Sequence, residues 1–150
     1  MGNELSDTEL RAWQALLHAH QAVTNRLDAE LRAAYKLPLA DYDVMLRLAN
    51  AGSRGLRMTQ LAERVMTSPS TLTHRVDGLV GRGLVDRRRF EGDSRVMLAR
   101  LTTRGTGLIR RAAVVHLRGI REHFAGRLTE DQLNDVAAAL EVIVGPHEPH

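Results

Sequence analysis

The 150-residue chain has no cysteine, a single lysine and only 3% aromatic residues. Without cysteine there is no disulfide framework, no thiolate-ligated zinc and no thiol redox switch. With so few rings, the 43% of residues that are hydrophobic must build a core from leucine, valine and alanine, which suits helices. No apolar run approaches the length of a membrane span. The N-terminal stretch is acidic and polar and lacks the pattern of a signal peptide. The expectation is a cytoplasmic protein with no membrane partner. Motifs of catalysis are missing as well. There is no GxSxG, no P-loop and no GxGxxG, and "RGTG" at 104–107 opens a helix instead of cradling a phosphate. Neither an enzyme nor a cofactor is expected.

What is present is unevenly placed charge. Residues 56–104 hold 10 arginines against five acids, while the rest of the chain holds 11 basic and 13 acidic residues. The basic centre is densest in "GLVDRRRFEGDSRVMLARLTTRG". A near-neutral frame around a basic centre points to a polyanionic partner, against the plainer alternative of a solvated face.

Periodicity and caps give the elements. "LSDTELRAWQALLHAHQAVTNRLDAELRAAY" reads as a long helix opened by a Ser6/Glu9 capping box and stopped by Pro38. Its apolar positions, from Leu10, Trp13, Leu16 and Leu17 to Leu27 and Leu31, keep helical spacing. "LADYDVMLRLANA" is a second helix ended by Gly52, and "GSRGLR" a turn with a short strand. "MTQLAERVM" is a third helix with Thr59 as its N-cap. The fourth runs from Ser68 as N-cap, with Pro69 at its first position, to Gly83. "LVDRRRF" and "RVMLARL" read as strands around an "EGDS" turn. "TTRGTGLIRRAAVVHLRGIREHFAG" is a fifth helix, and "TEDQLNDVAAALEVIV" a sixth with a Thr129/Gln132 capping box.

Helix, short turn, helix and hairpin, with another helix behind, is a winged helix-turn-helix. The expected fold is mostly α with a small β wing, in one domain. The winged helix spans about 40–105, dimerisation helices 1–37 and 106–145, and a flexible tail 146–150. On the fourth helix Leu72, Val76, Leu79 and Val80 share one face, and at 100° per residue Ser70, Thr71, His74 and Gly78 lie opposite. Small polar groups at that N-terminal end suit a major groove, and wing arginines suit phosphates or the minor groove. The candidate DNA contacts are Ser68, Ser70, Thr71, Thr73, His74, Arg88, Arg89 and Arg95. The sixth helix carries a stripe of Leu133, Val136, Ala137, Leu140 and Val144. With the first and fifth helices this is more apolar surface than one winged domain can cover, so a homodimer on an inverted-repeat operator in double-stranded DNA is expected.

The ordered set "LRMTQLAERV", "SPSTLTHRVDGLVGRGLVDR", "GDSR" and "LTTRG" resembles the MarR family of dimeric bacterial regulators, over nearly the whole chain. The resemblance implies that Asp93 steadies Arg95 at a wing tip that reaches the minor groove. The chain departs from the family in three places. Ser94 stands where a second arginine is frequent, and His74 where an arginine often sits. Gly78 interrupts the reading helix at about 1 kcal/mol of propensity. A branch that responds to urate and related anions is similar in a further set: Trp13 on the first helix, Asp43 on the second, Arg75 on the reading helix and Arg87 after "GLV". That similarity implies a repressor released by a small aromatic anionic ligand, urate-type or phenolic, with Asp43 holding Arg75 until the ligand arrives.

Plainer readings stand beside these: Trp13 as core, Asp43 with Arg75 as a structural pair, Arg87 as a phosphate contact. A winged-helix dimer serving protein contacts, a ligand-independent regulator and a zinc-responsive one are the alternatives for function. His116 and His123, seven apart on one helix face, could join Glu122 or a first-helix histidine, His18 or His20, around zinc. No HxxxH or HExxH spacing occurs, so no metal is expected.

Overall fold

The structure, a computed structural model, describes Gly2 and residues 4–145; the expected tail at 146–150 lies outside the described residues. The described residues form α1 (Asp7–Tyr35), α2 (Leu39–Ala51), β1 (Leu56–Arg57), α3 (Met58–Arg64), α4 (Pro69–Gly81), β2 (Val85–Phe90), β3 (Asp93–Leu101), α5 (Thr103–His123) and α6 (Glu130–Val144). Single 3₁₀ turns occupy Gly52–Arg54 and Ala125–Arg127. The fold is thus mostly helical with a small antiparallel sheet, ordered β1-β3-β2.

Local chemistry sets most boundaries. Ser6 with Glu9 and Thr129 with Gln132 form the two capping boxes. At α4 the Ser68 hydroxyl accepts the Thr71 N–H at 3.2 Å while Pro69 opens the helix. α1 ends at Tyr35, three residues before Pro38, and Lys36 then turns left-handed at φ 51°. Pro38 instead leads into α2, and it has no side-chain acceptor to cap that helix. Asp28 of α1 supplies one, its Oδ1 accepting the Leu39 N–H at 2.8 Å. That bond, more than the neighbouring Arg32 guanidinium, holds the Asp28 carboxyl below the usual carboxylate range.

Because the folded-state pKa of Asp28 is depressed, its stabilisation is complete at neutral pH and fades as acid protonates it. Asp28→Ala should cost about 1 kcal/mol, the usual worth of a lost N-cap, and Asp28→Asn, which keeps the acceptor, clearly less. Urea melts of both variants at pH 7 check this; equal losses would mean that charge matters here and the cap does not.

Two expected details are corrected. Thr59 is not an N-cap: α3 starts at Met58 directly from β1, no side chain accepts from its first turn, and Gln60 Oε1 instead accepts the Arg57 N–H at 3.1 Å. The pairing of Arg57 with Leu98 fixes where the helix begins. α3 also ends before Met66, which turns left-handed at φ 54°. The hairpin gains β1 as a third strand because Gly55, at φ +69°, brings the chain so close that a Cβ there would lie 2.3 Å from the Ala99 carbonyl oxygen.

The core lies under the winged part. Leu37, Val44, Met45, Leu48, Leu61, Leu72, Val76, Leu79, Val85 and Ala99 are all buried, joined by Leu31, Leu108, Ile109 and Ala112 from the long helices. Each such leucine contributes roughly 1.5–3 kcal/mol by leaving water. The outer helices contribute little else. α1 is exposed on every side up to Ala22, and α6 has no buried residue.

Candidate nucleic-acid interface

α4 buries Leu72, Val76 and Leu79 and exposes Ser70, Thr71, Thr73, His74, Asp77 and Gly78. Its first turn is ordered from within. The Ser68 hydroxyl donates to Thr71 Oγ1 at 2.8 Å, which leaves the Thr71 proton available to a partner. The Thr73 hydroxyl donates back to the Pro69 carbonyl at 2.9 Å, so only its lone pairs and methyl face outward. Of the two threonines, Thr71 is the better base-reading donor.

Three arginines clamp this helix. Arg82 donates to the Lys36 carbonyl at 2.9 Å and the Tyr35 carbonyl at 3.1 Å, serving the open carbonyls at the end of α1. Arg87 Nη2 lies 2.6 Å from Asp77 Oδ1, tying β2 to α4. Arg75 Nη1 lies 3.2 Å from Asp41 Oδ1, tying α4 to α2. Arg75 is thus held by Asp41, two residues before the expected Asp43. The two acids are about 200° apart around α2, so only one can face α4, and the other, Asp43, is exposed.

At the wing tip Asp93 accepts from the Arg95 backbone N–H at 3.0 Å and from its Nε at 3.2 Å. The backbone bond first, then the guanidinium, holds the Asp93 carboxyl below its usual range. The Arg95 side chain remains 90% exposed, pre-set but open. Register divides the triple-arginine run. Arg87 turns toward α4, whereas Arg88, opposite Leu98, turns away from it.

Arg75 and Arg87 are already paired with Asp41 and Asp77. Trp13 is 54% exposed on the uncovered half of α1, so it is not core of the protomer. Two clefts flank the wing, one toward α3 and α4 with Thr73, Arg87 and Arg95 in its wall, the other on the far face over Leu98; neither includes Trp13, Asp43 or Arg75. The histidines also separate. His116 packs on the Tyr42 ring at 4.4 Å, and burial pushes the Tyr42 phenol up. His123 is partly buried and hydrogen-bonds Glu30 of α1, with Glu122 alongside. Glu30 was hidden in the sequence because it lies 93 residues from its partner. Sequence also offered no sign of Asp41 or Arg82 as anchors of α4.

The MarR family model matches residues 37–97, the winged part. AbsC, a MarR family transcriptional regulator from Streptomyces coelicolor, is 31% identical, and the alignment covers 95% of this chain and 96% of that one with a TM-score of 0.86. The chain belongs to the MarR family. A second MarR family regulator of S. coelicolor, Sco3205, solved in complex with DNA, is 28% identical over 99% of this chain and 93% of its own, with a TM-score of 0.90. The transcriptional regulator PecS of Dickeya dadantii is 29% identical over 77% of this chain and 68% of its own. These MarR relatives are transcriptional regulators, not enzymes. No helix among the described residues is long and apolar enough to cross a membrane.

Proposed function

We infer that this MarR-family transcriptional regulator acts in the cytoplasm as a homodimeric repressor that reads an inverted repeat. The observation that carries the DNA reading is the exposed polar start of α4, with Ser70, Thr71 and His74, beside a wing tip whose Arg95 is pre-set by Asp93. Sco3205, which has the same fold, was solved on DNA. Selection from random duplexes should recover an inverted repeat, and fluorescence anisotropy should then separate the roles. Arg95→Ala should weaken specific and random DNA alike and flatten the salt slope by about 0.9 per lost phosphate contact. Thr71→Ala or His74→Ala should change base preference by roughly 1–3 kcal/mol at one position. A salt slope near zero would remove the polyanion reading altogether.

The effector reading now runs through Asp41. A small aromatic anion, urate-type or phenolic, stacks on Trp13 and competes with Asp41 or Asp77 for Arg75 or Arg87, loosening α4. It shifts the equilibrium only if it binds the loosened state better. The Arg75–Asp41 pair is about a third exposed on the arginine side, so its loss is worth about 1 kcal/mol at most, roughly fivefold in DNA affinity. Asp41→Asn should show that loss without ligand, and Asp43→Asn should not. Melting curves with urate, xanthine, salicylate and protocatechuate test the ligand itself, because a native-state ligand raises the melting temperature. The reverse order of the two variants would return the switch to Asp43.

A further inference from the structure

The far face of the wing sets Arg54 and Arg100 beside Arg88 and Arg89, the two strand arginines already expected to meet DNA. Residues two apart on a strand share a face, and the register sets Arg88 beside Leu98 and Asp86 beside Arg100. Arg87 faces α4 through Asp77, so Arg88 and Arg100 face away from α4. Arg54 reaches the same side from the 3₁₀ turn before β1, and the register shift between Arg89 and Phe90 brings Arg89 to the rim. The four guanidinium groups border one shallow cleft floored by Leu98 and Phe90.

Four arginines away from this cleft have acids close by: Arg32 with Asp28, Arg75 with Asp41, Arg87 with Asp77, Arg95 with Asp93. Around this cleft Arg100 has only Asp86, at 3.7 Å. No carboxylate among the described residues pairs with Arg54, Arg88 or Arg89, and Glu91 is the single acid on the rim. Clustered, unpaired like charges repel, and an anionic partner relieves that. The cleft is open and shallow, fitting a phosphate ridge better than an enclosed ligand.

We propose that Arg54, Arg88, Arg89 and Arg100 form a second backbone-binding surface that grips DNA flanking the operator half-site. This rests on the DNA-binding reading above, and the test keeps the two apart. The selected inverted repeat is compared as a minimal duplex and with about one helical turn of arbitrary sequence added at each end. Wild type should bind the extended duplex about tenfold tighter and with a steeper salt slope, by about 0.9 for each added phosphate contact. Arg54→Ala with Arg100→Ala should abolish that gain yet bind the minimal duplex as wild type does. Equal wild-type binding to both duplexes overturns the proposal, and so does an equal loss by the variant on both. No binding to the minimal duplex overturns the DNA reading itself. A melting-temperature rise with millimolar AMP or pyrophosphate in wild type but not in the variant, without a flank effect, assigns the cleft to a free phosphate ligand and also overturns it.

Discussion

Leu140→Glu should abolish operator binding at working concentrations while leaving the winged core intact. The apolar surface left uncovered in one protomer is the reason. α1 exposes Leu10, Trp13, Leu16 and Leu17, α5 exposes Val114 and Leu117, and α6 exposes Leu140, Val142, Ile143 and Val144, with Ile143 at 73%. A monomer seldom presents so many large apolar side chains along three helices to water. All three helices lie outside the winged part, and a second copy covering them needs roughly 800 Å² from each partner. Two-fold symmetry doubles any charge introduced there. Losing the dimer removes the intramolecular second half-site, so DNA affinity should fall by about 10²–10⁴. Leu117→Glu, 64% exposed in the protomer, is the parallel variant on α5. Sedimentation equilibrium reads the association and circular dichroism the fold. A folded wild-type monomer at micromolar concentration would sink the dimer, and the affinity argument with it.

The elements that could be read from sequence are those whose cause is local. Ser6, Ser68 with Pro69, and Thr129 cap helices through atoms three residues away. The alternation of β2 and β3 likewise follows from near neighbours. What could not be read depends on how helices are rotated and stacked. Periodicity places Asp41 and Asp43 on α2 but does not say which side α4 will occupy, and Asp41 has it. Leu39 is capped from 11 residues away and the end of α1 from 46 and 47. Thr59 shows the converse failure: a good capping residue is overruled because strand pairing moves the N-cap two residues earlier, to Arg57. Sequence runs Arg87, Arg88 and Arg89 together, with Arg88 and Arg89 expected on DNA and Arg87 on a ligand, and the register with β3 shows which of them turn toward α4.

Gly105→Ala should destabilise the protein by a few kcal/mol, while Gly107→Ala, two residues along the same helix, should be neutral or stabilising. Both glycines belong to "RGTG", which holds no phosphate motif, and the structure gives them opposite surroundings. A Cβ at Gly105 would lie 2.0 Å from the Leu84 carbonyl oxygen and 3.0 Å from its carbon. Those are backbone atoms, so no rotamer change relieves the clash and α5 must move. Movement is resisted at the same point, because the Leu84 oxygen accepts the Thr102 N–H at 3.1 Å and the Thr102 hydroxyl donates to the Gly83 carbonyl at 2.7 Å. Overpacking of this kind costs roughly 1–3 kcal/mol or more, against a gain of about 1 kcal/mol from replacing a helical glycine. At Gly107 the new Cβ meets only the Arg111 Nη1 tip, at 3.4 Å, which can swing aside, so the helix gain stands alone. For a chain of this size each kcal/mol moves the melting temperature by roughly 2–4 °C, read at one fixed protein concentration because association also raises it. Gly105 sits where α5 leaves the base of the wing, so a displaced α5 also shifts the reading unit against the dimer helices. DNA affinity should therefore fall in Gly105→Ala even below its melting temperature, and stay at the wild-type level in Gly107→Ala. Equal melting temperatures for the two variants would show that the α5 start yields without cost, and that the wing base is not the rigid joint these contacts describe.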